Sequence, residues 1–382
     1  MRKYKQLSKK NKNTHKHKYN THKFLYKIRG GSGKNVASSN NVSLKTLREL
    51  IQSKTPRRAI IIFNDLKIQC KIGAKKLLIS YINGDTGNDY ICIIIIYDFD
   101  TNVADIGNFF YDQPKTICIG LDKAINNTAY KKSHNIQKTY NKDLNKLLLK
   151  LIDVININLQ MKSCKVFDES EITCNNIKIS LSIKHYERGY GFYNEFGYLY
   201  INNQNAYDSD ASENIKYANT VLQTLYDISH TTMTQLEINI KKEDISVDNN
   251  LYTSLENLLS LYKKIKIHDV GNNVKTLRQV MREILQFMCD PTNIEIINTL
   301  TIDEKKYIQS FVSNMFQFQK NILKLYYKFY IYNEKQIFSS ELNTSDEDKN
   351  IPIFEMKPFE QPRITITYNT KVGDVEYIIN IK

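Results

Sequence analysis

The stretch IKHYERGYGFYNEFGY, residues 183–198, gathers His185, Glu187, Tyr193 and Glu195 close together in the chain. General acid–base chemistry needs side chains able to take or give a proton at a stated position. His185, Glu187 and Glu195 are candidate bases. Each has an equally simple packing role: the polar three fit a solvated helix or loop face, while Tyr186, Tyr190, Tyr193, Phe192, Phe196 and Tyr198 fit a hydrophobic core. A second pair of groups lies in the segment DFD. Asp98 and Asp100 stand two apart at a strand end and so share one face, an arrangement that suits Mg²⁺ in nucleotide-transferring enzymes. The nearby NGDTGND, residues 83–89, supplies further acids but reads equally as a turn.

Other motifs carry less. Six cysteines, at 70, 92, 118, 164, 174 and 289, lie mostly in or beside apolar runs with no Cys-x-x-Cys spacing, so no zinc site is expected. They read as small buried hydrophobes in a reducing compartment. GGSGKN, residues 30–35, lacks the phosphate-loop pattern: Ile28 stands where the first glycine belongs, and Asn35 follows Lys34 where Ser or Thr is required. Gly30, Gly31 and Gly33 read instead as a hinge.

The charge is unevenly placed. Of the net +14, residues 1–58 hold 17 Lys or Arg against one acid, Glu49, a balance of +16 that leaves residues 59–382 near −2. The like-charged start cannot repay its ordering entropy and is expected to be disordered in isolation. Tyr4, Tyr19, Phe24 and Tyr26 are interleaved with its lysines, so residues 1–35 are expected to neutralise phosphates and stack on bases of nucleic acid, or to contact another polyanion. A solvated or targeting tail is the alternative.

The remaining elements are read from periodicity. RAIIIFND, LKIQCKI and KKLLISYI form a meander, and the continuous apolar run Ile91–Ile96 predicts a strand buried on both faces. KTICIGLD supplies a strand over 116–121, and residues 141–157 form an amphipathic helix with Leu144, Leu147, Leu148, Leu151, Ile152 and Ile155 on one side. A strand over 177–183, a helix over 186–195 and a strand over 198–202 complete an α/β domain, in which a mixed sheet is covered by helices. The start of helix 141–157 offers free amides to a pyrophosphate. Three parts are expected: a basic arm over 1–43, an α/β domain over 44–205, and a mostly helical interaction domain over 206–382 ending in a β-hairpin.

The segment Ile91–Tyr200 resembles the core of the Gcn5-related N-acetyltransferase superfamily, with LSIKHYERGYGFYNEFGY similar to its closing motif and NKDLNKLLLK similar to the start of its coenzyme-A helix. The resemblance implies N-acetyl transfer from acetyl-CoA to an amine by direct attack, with Tyr193 protonating the departing thiolate. It implies that Ile117 and Ile119 meet the pantetheine arm, and that Gln137, Lys138, Asn141, Lys142, Asp143, Leu144 and Asn145 surround the pyrophosphate. Asp143 and Asn145 occupy positions where the family has glycine, which leaves open a noncatalytic protein of the same fold. Composition and the basic arm resemble proteins of large cytoplasmic DNA viruses, which implies host cytoplasm or virion. No membrane insertion is expected, because the longest apolar run is far too short to span a bilayer. In the C-terminal half, helices over 213–229, 251–266, 273–288 and 303–333 are expected, the last offering tyrosines to a protein partner.

Overall fold

The computed structural model describes residues 46–64, 66–82, 89–109, 136–168, 170–200, 211–243, 250–265, 275–319, 325–342, 351–371 and 374–382. All of them belong to the compact unit Leu44–Lys382. The expected strand over 116–121 and the basic start lie outside the described residues.

The first half is a meander. A helix, α1 (Leu47–Gln52), opens with a capping box in which Thr46 and Glu49 bond each other's backbone N–H groups. Strands β1 (Arg57–Phe63), β2 (Leu66–Gly73), β3 (Lys76–Ile82), β4 (Asp89–Asp98) and β5 (Val103–Phe109) then pair in sequence, all antiparallel. Helix α2 (Ile136–Asn158) leads to β6 (Ser163–Phe167), which returns parallel to β5. A parallel neighbour requires a crossover, and α2 lies on it. The buried Leu148, Leu151, Ile152 and Ile155 of α2 are those of the expected apolar stripe.

β4 is not buried on both faces. Ile93, Ile95 and Tyr97 are buried, whereas Ile94 is half-buried and Ile96 is 39% exposed. A continuous isoleucine run carries no period, so it cannot distinguish two covered faces from one. Alternation here comes from the pleat alone.

The strand expected over 177–183 is present but ends at Ser180 and stands apart from the main sheet. Residues β7 (Glu171–Cys174) and β8 (Ile177–Ser180) form a separate two-stranded hairpin whose turn residues, Asn175 and Asn176, both take positive φ. The helix expected over 186–195 is interrupted. Helix α3 (Ile183–Arg188) stops at Gly189, whose φ of 86° ends it in the left-handed region, and a 3₁₀ turn follows over Phe192–Phe196. The short strand β9 (Leu199–Tyr200) comes next.

Helices α4 (Ala211–His230), α5 (Met233–Glu243), α6 (Asn250–Ile265), α7 (Leu277–Cys289), α8 (Ile294–Thr299) and α9 (Ile302–Phe318) make the helical region. The helix expected over 303–333 ends at Phe318, and LYYKFYI becomes strand β10 (Leu325–Ile331). Aromatic side chains favour a pleated surface, and tertiary pairing decides between the two periods. β10 pairs with β6 and β9, so Tyr326, Tyr327 and Tyr330 are buried in the fold and not presented to a partner.

Strands β11 (Gln336–Leu342), β12 (Pro352–Pro358), β13 (Ile364–Lys371) and β14 (Asp374–Ile381) finish the chain. The expected terminal hairpin is β13–β14, and β14 runs parallel to β1. The main sheet therefore has the order β12-β11-β10-β6-β5-β4-β3-β2-β1-β14-β13, with β9 on β10. It is a mixed parallel and antiparallel sheet flanked by helices, with a largely helical region between its early strands and its last ones.

Candidate functional site

The closing segment 183–198 places its chemistry by two glycines. Gly189 lets α3 come against Tyr226 of α4, where a Cβ would stand 3.1 Å from the Tyr226 Cα. Gly191 lies under His185 and Tyr326, and its N–H donates to Asn194 Oδ1 at 2.8 Å. Asn194 Nδ2 donates to the Tyr198 carbonyl at 2.9 Å, so the turn is closed by one buried amide.

His185 faces inward and is only 1% exposed. Its Nδ1 lies 3.0 Å from the Ser182 carbonyl oxygen, which only accepts, so Nδ1 carries the proton. Its Nε2 then accepts from the Tyr326 hydroxyl at 2.6 Å. Tyr193 packs on the same tyrosine, with ring centroids 5.5 Å apart, and also on Phe192 and Tyr198. Burial pushes the phenols of Tyr193 and Tyr326 well above the ordinary tyrosine range, so both stay protonated.

Glu187 points elsewhere. Its carboxylate meets the Lys184 ammonium in a short ion pair, with Arg282 Nε at 3.7 Å and Arg188 Nε at 3.9 Å. Glu195 faces Arg188 Nη1 at 3.6 Å. The structure thus brings His185 and Tyr193 together around Tyr326 and sends Glu187 to a cationic cluster. The Nε2 lone pair of His185 is taken by Tyr326, and the other two candidate bases, Glu187 and Glu195, each stand in an ion pair.

The helix that would hold a pyrophosphate starts at Ile136, five residues before Asn141. Asn141, Lys142, Asp143, Leu144 and Asn145 therefore sit past the first turn, where backbone N–H groups donate within the helix. Gln137 and Lys138 are in the first turn. Only the backbone of residues 137–144 is described, and Ile117 and Ile119 lie outside the described residues. Asn145 is half-buried with an Oδ1 that has no hydrogen-bond partner. That atom accepts and does not donate, so it does not match a phosphate oxygen.

Asp98 and Asp100 turn to different partners. Asp98 accepts from Thr101 Oγ1 at 2.7 Å and from the Asp100 N–H at 3.0 Å, bonds that hold its carboxyl below the usual range, while Asp100 faces water and Lys75. Among the described residues no group of three His, Cys, Asp or Glu is placed to hold a metal ion.

Sequence reasoning missed a buried polar seam between α2 and β10. Lys328 Nζ donates to Asp153 Oδ2 at 2.6 Å and to the Phe196 carbonyl at 2.7 Å. Tyr330 donates to Asp153 Oδ1 at 2.7 Å and accepts from Asn156 Nδ2 at 3.1 Å. The signal was a lone lysine inside LYYKFYI, which a strand reading would have turned toward the core. Two cysteines were also misread: Cys174 and Cys289 form a disulfide, while Cys70 and Cys164 are buried thiols as expected.

No protein-family model, curated protein or solved structure matches this chain. Among the described residues no helix is long and apolar enough to cross a membrane.

Proposed function

We propose that this chain is a noncatalytic binding protein whose N-terminal segment contacts nucleic acid or another polyanion. The observation that carries the reading is the charge: residues 1–43 hold twelve Lys or Arg and no Asp or Glu, interleaved with Tyr4, Tyr19, Phe24 and Tyr26. Such a composition neutralises phosphates and stacks bases without reading sequence. The engagement of His185 by Tyr326 and of Glu187 by Lys184 supports it, because a general base needs a free lone pair within reach of its substrate. The test compares the full chain with a Lys3→Gln/Lys5→Gln/Lys9→Gln/Lys10→Gln variant for binding to single-stranded oligonucleotides of mixed sequence. Weaker binding of every sequence by the variant is expected; equal affinity would overturn the reading.

A second reading is N-acyl transfer from acetyl-CoA to an amine, favoured by the parallel pair β5–β6 with α2 on the crossover. Calorimetry with acetyl-CoA on the full chain tests it. Saturable heat, with amine acetylation lost in Tyr193→Phe, supports this reading, and no heat at millimolar cofactor removes it.

A further inference from the structure

Around Glu187 the folded unit gathers more positive charge than it neutralises. Lys184 and Arg188 come from α3, and Arg278 and Arg282 from α7, one turn apart on one face of that helix. Among the described residues, the carboxylates that reach Lys184, Arg188 and Arg282 are Glu187 and Glu195. The arginine contacts are long: 3.7 Å from Arg282 to Glu187, 3.9 Å from Arg188 to Glu187 and 3.6 Å from Arg188 to Glu195. None is at hydrogen-bond distance, and the side chains of Arg188 and Arg282 are about two-fifths exposed.

Among the described residues Arg278 has no carboxylate within ion-pair distance. Its Nη1 donates to His230 Nε2 at 2.9 Å, and His230 Nδ1 lies 2.7 Å from the Tyr226 carbonyl oxygen. Its Nε is buried with no hydrogen-bond partner. Arg278 also stands in the first turn of α7, where the helix dipole adds positive potential. The Lys184 ammonium feels the crowding: burial first, then Arg188 and Arg282, press its pKa below the ordinary value against the pull of Glu187.

We propose that Arg188, Arg278 and Arg282, with Lys184 behind them, form a phosphate-binding surface built on α3 and α7. Arginine forks are matched to phosphate oxygens, which accept two parallel N–H bonds from one guanidinium. Phosphate supplies both the missing negative charge and the missing acceptors. The inference does not depend on the N-terminal segment.

Its test uses the full chain at constant ionic strength. Inorganic phosphate, a terminally phosphorylated oligonucleotide and the same oligonucleotide without the terminal phosphate are titrated against thermal melting. The proteins are the wild type, Arg278→Gln/Arg282→Gln, and the lysine variant in residues 3–10 described above. The expected result is a phosphate midpoint raised about tenfold in the arginine variant, as loss of charge-assisted bonds implies, and unchanged in the lysine variant. Arg282→Lys, which keeps the charge, should lose less, and melting without phosphate checks that each variant folds. A response to the phosphorylated oligonucleotide beyond that of its unphosphorylated twin assigns the ligand to a nucleic-acid end; a response to inorganic phosphate alone assigns it to a free anion. An arginine variant that titrates like the wild type, or a wild type with no phosphate response, overturns the proposal.

Discussion

Gly191 has no room for a methyl group. A Cβ there would overlap the Tyr326 hydroxyl and stand 2.5 Å from His185 Nε2. Its φ of −85° is ordinary, so the cost of a side chain is steric and not torsional. Gly191→Ala should lower stability by about 1–3 kcal/mol in urea unfolding, the usual range for overpacking. Asp153 is the second critical residue. Removing its carboxylate strands the Lys328 ammonium, whose side chain is 7% exposed, so Asp153→Ala should cost about 3–5 kcal/mol. Asp153→Leu/Lys328→Met removes both charges and should recover most of that loss; failure to recover would point to the Tyr330 and Phe196 bonds as the larger contribution. At this scale the sequence was partly legible. The glycines and tyrosines of 183–198 declared a tight aromatic corner, but Asp153 and Lys328 are separated by most of the helical region, and no local spacing couples them.

Elements were legible where a period exists. The amphipathic stripe of α2 and the terminal hairpin follow from local pattern, whereas the β7–β8 hairpin with its asparagine turn went unread. The helix expected over 303–333 failed because aromatic residues suit both periods, and only pairing with β6 and β9 makes LYYKFYI a strand. The disulfide belongs to the same class of long-range fact, joining the end of β7 to the end of α7 across 115 residues of sequence. Beside it, Asn175 Nδ2 bonds the carbonyls of Met288 and Asp290 at 2.9 and 2.8 Å. Cys174→Ser/Cys289→Ser should lower stability by about 2–4 kcal/mol in urea unfolding while leaving the hairpin docked. Peptide mapping without reductant checks the bond itself, and two free thiols at these positions would contradict it.

Across the whole molecule, buried acids set the alkaline limit. Burial pushes the thiols of Cys70 and Cys164 from 9.0 up to about 12, and buried phenols such as Tyr198 and Tyr330 rise as well. The unfolded chain ionises these groups first, so their stabilisation is complete below about pH 9 and fades as pH climbs toward about 12. A melting temperature that declines from about pH 9 upward is expected; a flat profile to about pH 12 would contradict it. The other property of the whole chain is its segregated charge, with the basic excess in residues 1–58 and near balance beyond. That segregation was fully legible, since charge needs no fold to be counted. The most direct measurement of the central claim is the salt dependence of oligonucleotide binding by the full chain. The account predicts a steep linear fall of log affinity with log salt, flattened when Lys3, Lys5, Lys9 and Lys10 become glutamine. A slope near zero, or one that those four changes leave untouched, would contradict it.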